Sequence, residues 1–424
     1  MPAVTASQEH LAGPAPEQGR IALGGLQAVG LGLLLTVLQV LVACLLSGRD
    51  NLHDAYLSLC QWDTYWYSTI VEGGYNAVPN VRGEANVGFF PGYPCLTRQL
   101  RTLTGLPTAD ALLLTAQLSC WAFWSYLLLL LSSWGVSRRM ALAAVLSVLA
   151  YPAAFFLVAG YSESLFLACA LGFLYWSERE GPFAAGLAAV HGFGMTATRL
   201  VGLPLAVYPV AKILLGAAPG SGPPLRDRLA RCTVPLLIGL ATAGGGLSFF
   251  LFCQARFGCW NLYMQTQHMG WGVTPDYLAL FSRRALRLYP VYSRTAGLHS
   301  DFISRLSVWV FLAAFALLTG MECWLRQQQG PIGCRRRACL YFCAWLLFYI
   351  ALTGMASRAM GSMIRHSLCV QVLLVLALGQ LLTRARPKSA PGRLGRLLPV
   401  FCVPLFLVCE LFLLHRFTHG EWVA

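Results

Sequence analysis

Charge is what this sequence lacks most. Asp, Glu, Lys and Arg make up 11% of its 424 residues, less than half of the roughly 25% found in an ordinary soluble chain. A chain so poor in charge cannot clothe a water-facing surface, which excludes a string of soluble domains. Lysine is nearly missing, with only Lys212 and Lys388, so the net charge of +14 is carried almost wholly by arginine. The arginines are scattered between hydrophobic blocks rather than gathered on one polar domain, which argues against nucleic acid as a partner. There is no Walker loop, no GxGxxG, no HExxH and no CxxC. Most of the fifteen cysteines sit inside apolar runs, where they behave as small hydrophobes. Cys60, Cys95 and Cys259 lie in polar connections, where a disulfide is chemically conceivable.

What the chain has instead is apolar length. Hydrophobic residues are 57% of it, and the mean hydropathy is +0.60. Residues 1–20 are polar and rich in Pro, Gly and Ala, which predicts a disordered cytosolic tail. Residues 21–48 then run without a charge, too long for the core of a signal peptide, and predict a retained first transmembrane helix. Further uncharged runs cover 111–137, 140–162, 164–177, 181–198, 200–211, 232–255, 306–321, 338–357, 366–383 and 397–409. The expected fold is an all-α polytopic membrane protein of about eleven helices, with residues 21–424 as one integral-membrane domain. With the amino terminus inside, 17 of the 31 Lys and Arg residues fall on the cytosolic side. Ten of the other 14 lie in two long loops, about 49–107 and 256–305, whose charges count little towards orientation. Those loops are therefore expected on the extracytosolic face. The cytosolic connections are too short to hold a nucleotide domain.

The chemistry is concentrated in the outer segments. The first loop reads CQWDTYWYSTIVEGGYN, with Asp63 between Trp62 and the run Tyr65-Trp66-Tyr67. If helical, it places residues 62, 66 and 70 on one apolar stripe along the membrane surface, with Asp63 at the lipid–water boundary. That is a position suited to a general base, although spacing alone favours a solvated loop residue or a helix cap. Asn86 to Pro94, NVGFFPGYP, is broken by Gly and Pro yet apolar, so it must pack into a bundle or dip into the bilayer. Glu163 sits between Ser162 and Ser164 at an outer mouth, where helix capping and a functional acid are both open. Arg199 interrupts an apolar stretch and needs an anionic partner or water. Arg358, Arg365 and His366 lie near another outer mouth, placed either to embrace a phosphate or to anchor to headgroups. Gly244-Gly245-Gly246, inside a span, lets helices pack closely.

In this order the motifs resemble the C-type glycosyltransferase superfamily, and within it the second GPI mannosyltransferase (PIG-V) family with its bacterial membrane relatives. The resemblance is carried by Trp62-Asp63, Trp66-Tyr67 and Glu72-Gly73-Gly74-Tyr75, then Phe89-Phe90-Pro91-Gly92-Tyr93-Pro94. It continues through Pro152 to Phe156, Tyr161-Ser162-Glu163-Ser164, and Arg199 with Gly202. Gln267 with Trp271 matches more weakly, and Arg365-His366 departs from an expected Arg-Tyr. The resemblance implies an inverting transfer of a hexose, mannose in that family, from a polyprenyl-phosphate donor to an acceptor hydroxyl, with Asp63 as base. Arg199 or Arg365 would stabilise the departing phosphate. Trp62, Trp66, Tyr67, Glu72, Phe90, Tyr93, Tyr161, Glu163, Gln267, Trp271 and His366 would contact substrate. The acceptor is a glycolipid, a glycan or a protein, and eukaryotic members can require a small accessory subunit. No cofactor is called for; a divalent metal is left open, since one Asp and one Glu make a poor cage. The motif wording leans towards a bacterial plasma membrane rather than the endoplasmic reticulum. The alternative function is a transporter or flippase of an anionic lipid or solute, which would show charged mid-span residues and inverted repeats.

Overall fold

The computed structural model describes residues 21–214, 225–288, 292–293, 297–298, 300–329, 335–384 and 390–423. The tail 1–20 lies outside the described residues. The first apolar run forms α1 (Gly25–Leu46). The first long loop carries α2 (Leu52–Leu57), α3 (Asp63–Gly73) and α4 (Gly92–Thr104). Four helices follow: α5 (Thr108–Ser133), α6 (Arg138–Leu149), α7 (Glu163–Ser177) and α8 (Pro182–Thr198). Pro204 lies in a 3-10 segment, Leu200–Val207, that leads into α9 (Tyr208–Leu214). Then come α10 (Leu225–Ala230) and α11 (Thr233–Phe257). The second long loop holds α12 (Leu262–Trp271), α13 (Arg283–Leu286) and a two-residue hairpin pairing Tyr292–Ser293 with Gly297–Leu298. Finally come α14 (Ser300–Gln329), α15 (Arg335–Ala356), α16 (Met363–His366), α17 (Leu368–Arg384) and α18 (Ala390–Thr418).

Six helices among the described residues are long and apolar enough to cross a membrane, lying in α1, α5, α11, α14, α15 and α18, and three further apolar stretches are shorter. Their outer faces are greasy: Leu26 on α1 is 90% exposed and Phe401 on α18 is 71% exposed. In water each such side chain would forgo about 2 kcal/mol of burial; against lipid it forgoes nothing. The chain is an integral, multi-pass membrane protein.

The run 140–162, uncharged throughout, does not make one helix. α6 stops at Leu149, because the residue before Pro152 is pushed out of helical geometry. Residues 150–162 continue as an irregular, wholly buried strip containing one 3-10 turn, Ala154–Leu157. Non-helical backbone survives at membrane depth only where protein satisfies it. Here Gln39 of α1 donates through Nε2 to the Ala154 carbonyl at 3.4 Å and accepts from Trp124 Nε1 at 2.8 Å. The Gly160 amide donates to the Leu59 carbonyl at 3.2 Å.

The glycine triplet works at the crossing of α8 and α11. A Cβ on Gly245 would lie 2.1 Å from the Phe193 carbonyl oxygen, whereas one on Gly244 meets nothing nearer than 3.9 Å. A backbone carbonyl cannot step aside cheaply. Gly245→Ala is therefore expected to cost roughly 1–3 kcal/mol of overpacking, and Gly244→Ala almost nothing. Thermal melts of the two variants in detergent compare them directly, and equal midpoints would refute this account.

Candidate active site

The site grows from places where helices stop. Asp63 opens α3, where the helix dipole favours a carboxylate. Its own backbone N–H donates to the Tyr161 hydroxyl at 3.3 Å, and Thr64 Oγ1 donates to the Gly160 carbonyl at 3.1 Å. The buried strip thus seats α3. Trp62, just before, takes φ +49° and ψ −101°, a backbone conformation rare for a bulky residue. Glu163 opens α7, and Arg199 leaves α8 in an extended conformation. Arg365 and His366 close α16. Gly92 brings the FFPGYP turn against the end of α8, since a Cβ there would lie 2.9 Å from the Thr198 amide nitrogen.

These ends converge on one buried ionic network. Arg365 Nη1 donates to Asp63 Oδ2 at 2.7 Å, and its Nε lies 3.3 Å from Glu163 Oε1. Arg199 Nη1 donates to the same Glu163 oxygen, and its Nη2 meets His366 Nδ1 at 3.1 Å. A guanidinium can only donate, so Nδ1 accepts and the imidazole is neutral. The Arg365 guanidinium also lies 5.3 Å from the Tyr161 ring centre and 5.5 Å from that of Phe156. Two carboxylates balance two guanidiniums, which makes their burial tolerable. Burial works against charge on both arginines. Glu163 outweighs it for Arg199, and Asp63 with Glu163 for Arg365, so both are held above the ordinary arginine range. Tyr67 donates to Ser162 Oγ at 2.9 Å, tying α3 to the mouth of α7.

The network borders a cavity of about 1100 Å³ that Asp63, Arg199, Arg365 and His366 help to line, ample for a sugar with a lipid phosphate. Trp66, Phe89 and Trp271 form an aromatic wall with ring centres 5.5–6.1 Å apart. The two long loops meet here: Gln267 Nε2 donates to the Gly88 carbonyl at 2.8 Å. Phe90 packs edge-on to Tyr263 at 4.8 Å.

Of the residues singled out in the sequence, Trp62, Asp63, Trp66, Tyr67, Phe90, Arg199, Gln267, Trp271, Arg365 and His366 line this cavity, with Tyr161 and Glu163 directly behind the network. Two fall elsewhere. Tyr93 is fully buried and donates to the Leu112 carbonyl at 2.7 Å, joining α4 to α5. Glu72 is exposed near the end of α3 and does not line the cavity. Sequence reasoning missed Tyr263, Ser362 and Trp422, which do. Trp422 carried a legible signal, an indole beside an acid just after an apolar run, as at Trp62-Asp63. Among the described residues no three His, Cys, Asp or Glu side chains gather as a metal site, and Cys60, Cys95 and Cys259 are free thiols.

His366 gives a pH prediction. Burial, then Arg199, Arg365 and Arg358, hold it well below its ordinary value of 6.5. The unfolded chain therefore takes up a proton that the folded chain refuses. The neutral imidazole's contribution is fully present above that value and is lost as pH falls below it. The thermal midpoint should drop from about pH 7.5 to about pH 5.5, and His366→Gln should flatten that slope. An unchanged slope in the variant would refute it.

No family model matches the chain. The GPI alpha-1,6-mannosyltransferase 2 of Mus musculus is 33% identical over 164 residues, which is 36% of this chain and 32% of that protein. The Rattus norvegicus protein of the same name is 33% identical over 162 residues, with the same shares. The chain is similar to the second GPI mannosyltransferase. The matched stretch spans about a third of these curated relatives. Among solved structures, ArnT from Cupriavidus metallidurans bound to undecaprenyl phosphate aligns with 93% of this chain and 74% of its own, at a TM-score of 0.48 and 16% identity.

Proposed function

We propose that this chain is an integral-membrane glycosyltransferase of the C-type fold. It moves a hexose, mannose on the resemblance, from a polyprenyl phosphate to an acceptor hydroxyl on the extracytosolic face, with inversion. The observation that supports this most is the meeting of Asp63, Glu163, Arg199 and Arg365, from four separate stretches, beside one large aromatic-walled cavity. A structural ion pair needs no such cavity; a transfer reaction needs both.

In this reading Arg365 fixes the plane of the Asp63 carboxylate through Oδ2, and Oδ1, which no described residue hydrogen-bonds, takes the proton. The acceptor oxygen bonds C1 as it gives its proton to Asp63. The bond from C1 to the phosphate oxygen breaks, and its electron pair leaves with the lipid phosphate. Inversion puts that phosphate on the side away from the base. Of the two guanidiniums, Arg199 is the one not bonded to Asp63, and it receives the developing charge. The aromatic wall of Trp66, Phe89 and Trp271 shields the sugar from water. Acceptor, compartment and any small accessory subunit follow the organism: a bacterial plasma membrane, towards which the motif wording leans, or the endoplasmic reticulum.

The test is to incubate the purified protein with polyprenyl-phosphate mannose and a panel of glycolipid, glycan and peptide acceptors, with mass spectrometry as readout. Gain of one hexose on an acceptor is the expected result. Movement of the lipid across reconstituted vesicles with no new glycosidic bond would replace this reading with transport.

A further inference from the structure

We infer that Trp422 and Trp62 together form a stacking platform for a pyranose ring of the acceptor, at the base's side of the cavity. This rests on the transferase reading above. After α18 ends, the chain turns back onto the molecule. The Gly420 amide donates to the Phe417 carbonyl at 2.9 Å, and that of Glu421 to the Arg416 carbonyl at 3.0 Å. Arg416 Nη2 and Glu421 Oε2 lie 2.5 Å apart. Phe417 packs on Phe155 at 5.1 Å and Tyr161 at 5.9 Å, and Val423 is only 2% exposed. The segment is pinned on both sides of Trp422, which lines the cavity.

The two indoles meet edge to face, with ring centres 5.3 Å apart at 83°. Trp62 Nε1 donates to the Glu421 carbonyl at 3.3 Å. The polar edge of Trp62 is therefore satisfied, yet the residue stays 45% exposed. What it offers the cavity is its apolar ring. Two indoles at right angles make a corner with apolar walls, lining the same cavity as Asp63. A pyranose has the matching shape, an apolar C–H face and a rim of hydroxyls. An alcohol without a ring lacks that flat C–H face and gains less from the two walls.

The position assigns the platform to the acceptor. A general base must lie within hydrogen-bond reach of the hydroxyl it deprotonates, and Trp62 is covalently next to Asp63. The leaving phosphate lies on the other side of C1. The left-handed backbone at Trp62 fits this role, since strain of that kind is kept where a side chain must be aimed.

The experiment varies octyl hexopyranoside, and separately octanol, as acceptors against Trp422→Ala, Trp422→Leu and Trp422→Phe at saturating donor, then varies the donor. The expected result is a rise of roughly tenfold in KM for the hexopyranoside with Ala and Leu, largely restored by Phe. KM for the lipid donor and for octanol should move far less. Leu keeps apolar bulk, so it answers the question if the Ala variant does not accumulate. Equal rises in both KM values, or a fall in kcat alone, would reduce Trp422 to a prop for the loop and overturn the inference. If the wild type transfers no hexose to any acceptor, the transferase reading itself fails.

Discussion

Replacing Asp63 with Asn is expected to lower transfer by about a thousandfold, within the range assigned to loss of a positioned general base. The variant is well suited to the question. Asn keeps the shape of Asp and an oxygen that can still accept from Arg365 Nη1, now 2.7 Å from the carboxylate. It keeps the backbone N–H that Tyr161 receives. What it loses is the capacity to take a proton. Asn also removes one of the two carboxylates that balance the buried guanidiniums, so the variant should melt lower than wild type. In the folded protein, donor binding should change little while turnover collapses, a pattern measured by comparing lipid-donor affinity with single-turnover rate. Asp63→Glu should fall between the two, because it restores the proton acceptor one methylene out of place. Wild-type turnover in the Asn variant would remove Asp63 from the chemistry, whatever the rest of the site does.

The fold was legible because its strongest signal is the simplest one. Each uncharged run named from the sequence contains helix, but 140–162 is helical only as far as Leu149 and 200–211 begins as a 3-10 segment, breaks that fall near Pro152 and at Pro204. The site was legible in part, for a physical reason. Asp63, Glu163, Arg199 and Arg365 are ionisable groups in apolar surroundings, and such groups have to find one another. What spacing could not give was the pairing: that one oxygen of Glu163 serves both arginines, and that Asp63 faces Arg365 across 302 positions of chain. Glu72 and Tyr93 entered through motifs rather than through a need for partners. One is solvent-facing and the other ties two helices together. Trp422 was overlooked because a residue beyond the final apolar run reaches the cavity only through a turn in tertiary space.

Removing Glu163 should have the largest effect on stability. It is 4% exposed, and through Oε1 it meets both Arg199 and Arg365, while its Oε2 has no hydrogen-bond partner among the described residues. Truncation to Ala leaves two guanidiniums with a single carboxylate in a low-dielectric wall. Breaking a buried pair in this way typically costs about 3–5 kcal/mol, much of it the burden of the uncompensated charge. The charge argument makes a sharper claim than the loss itself. If the burden is the unpaired Arg199, then Glu163→Gln with Arg199→Gln should be more stable than Glu163→Gln alone, although it deletes more native contacts. The comparison of thermal midpoints across the single and double variants forms a cycle that isolates the coupling. The same double variant should still fail to transfer, because on the proposed mechanism Arg199 receives the leaving phosphate. Recovered stability without recovered activity separates the structural debt of this network from its chemical use. A double variant less stable than either single would show that packing, not charge balance, holds the cluster together.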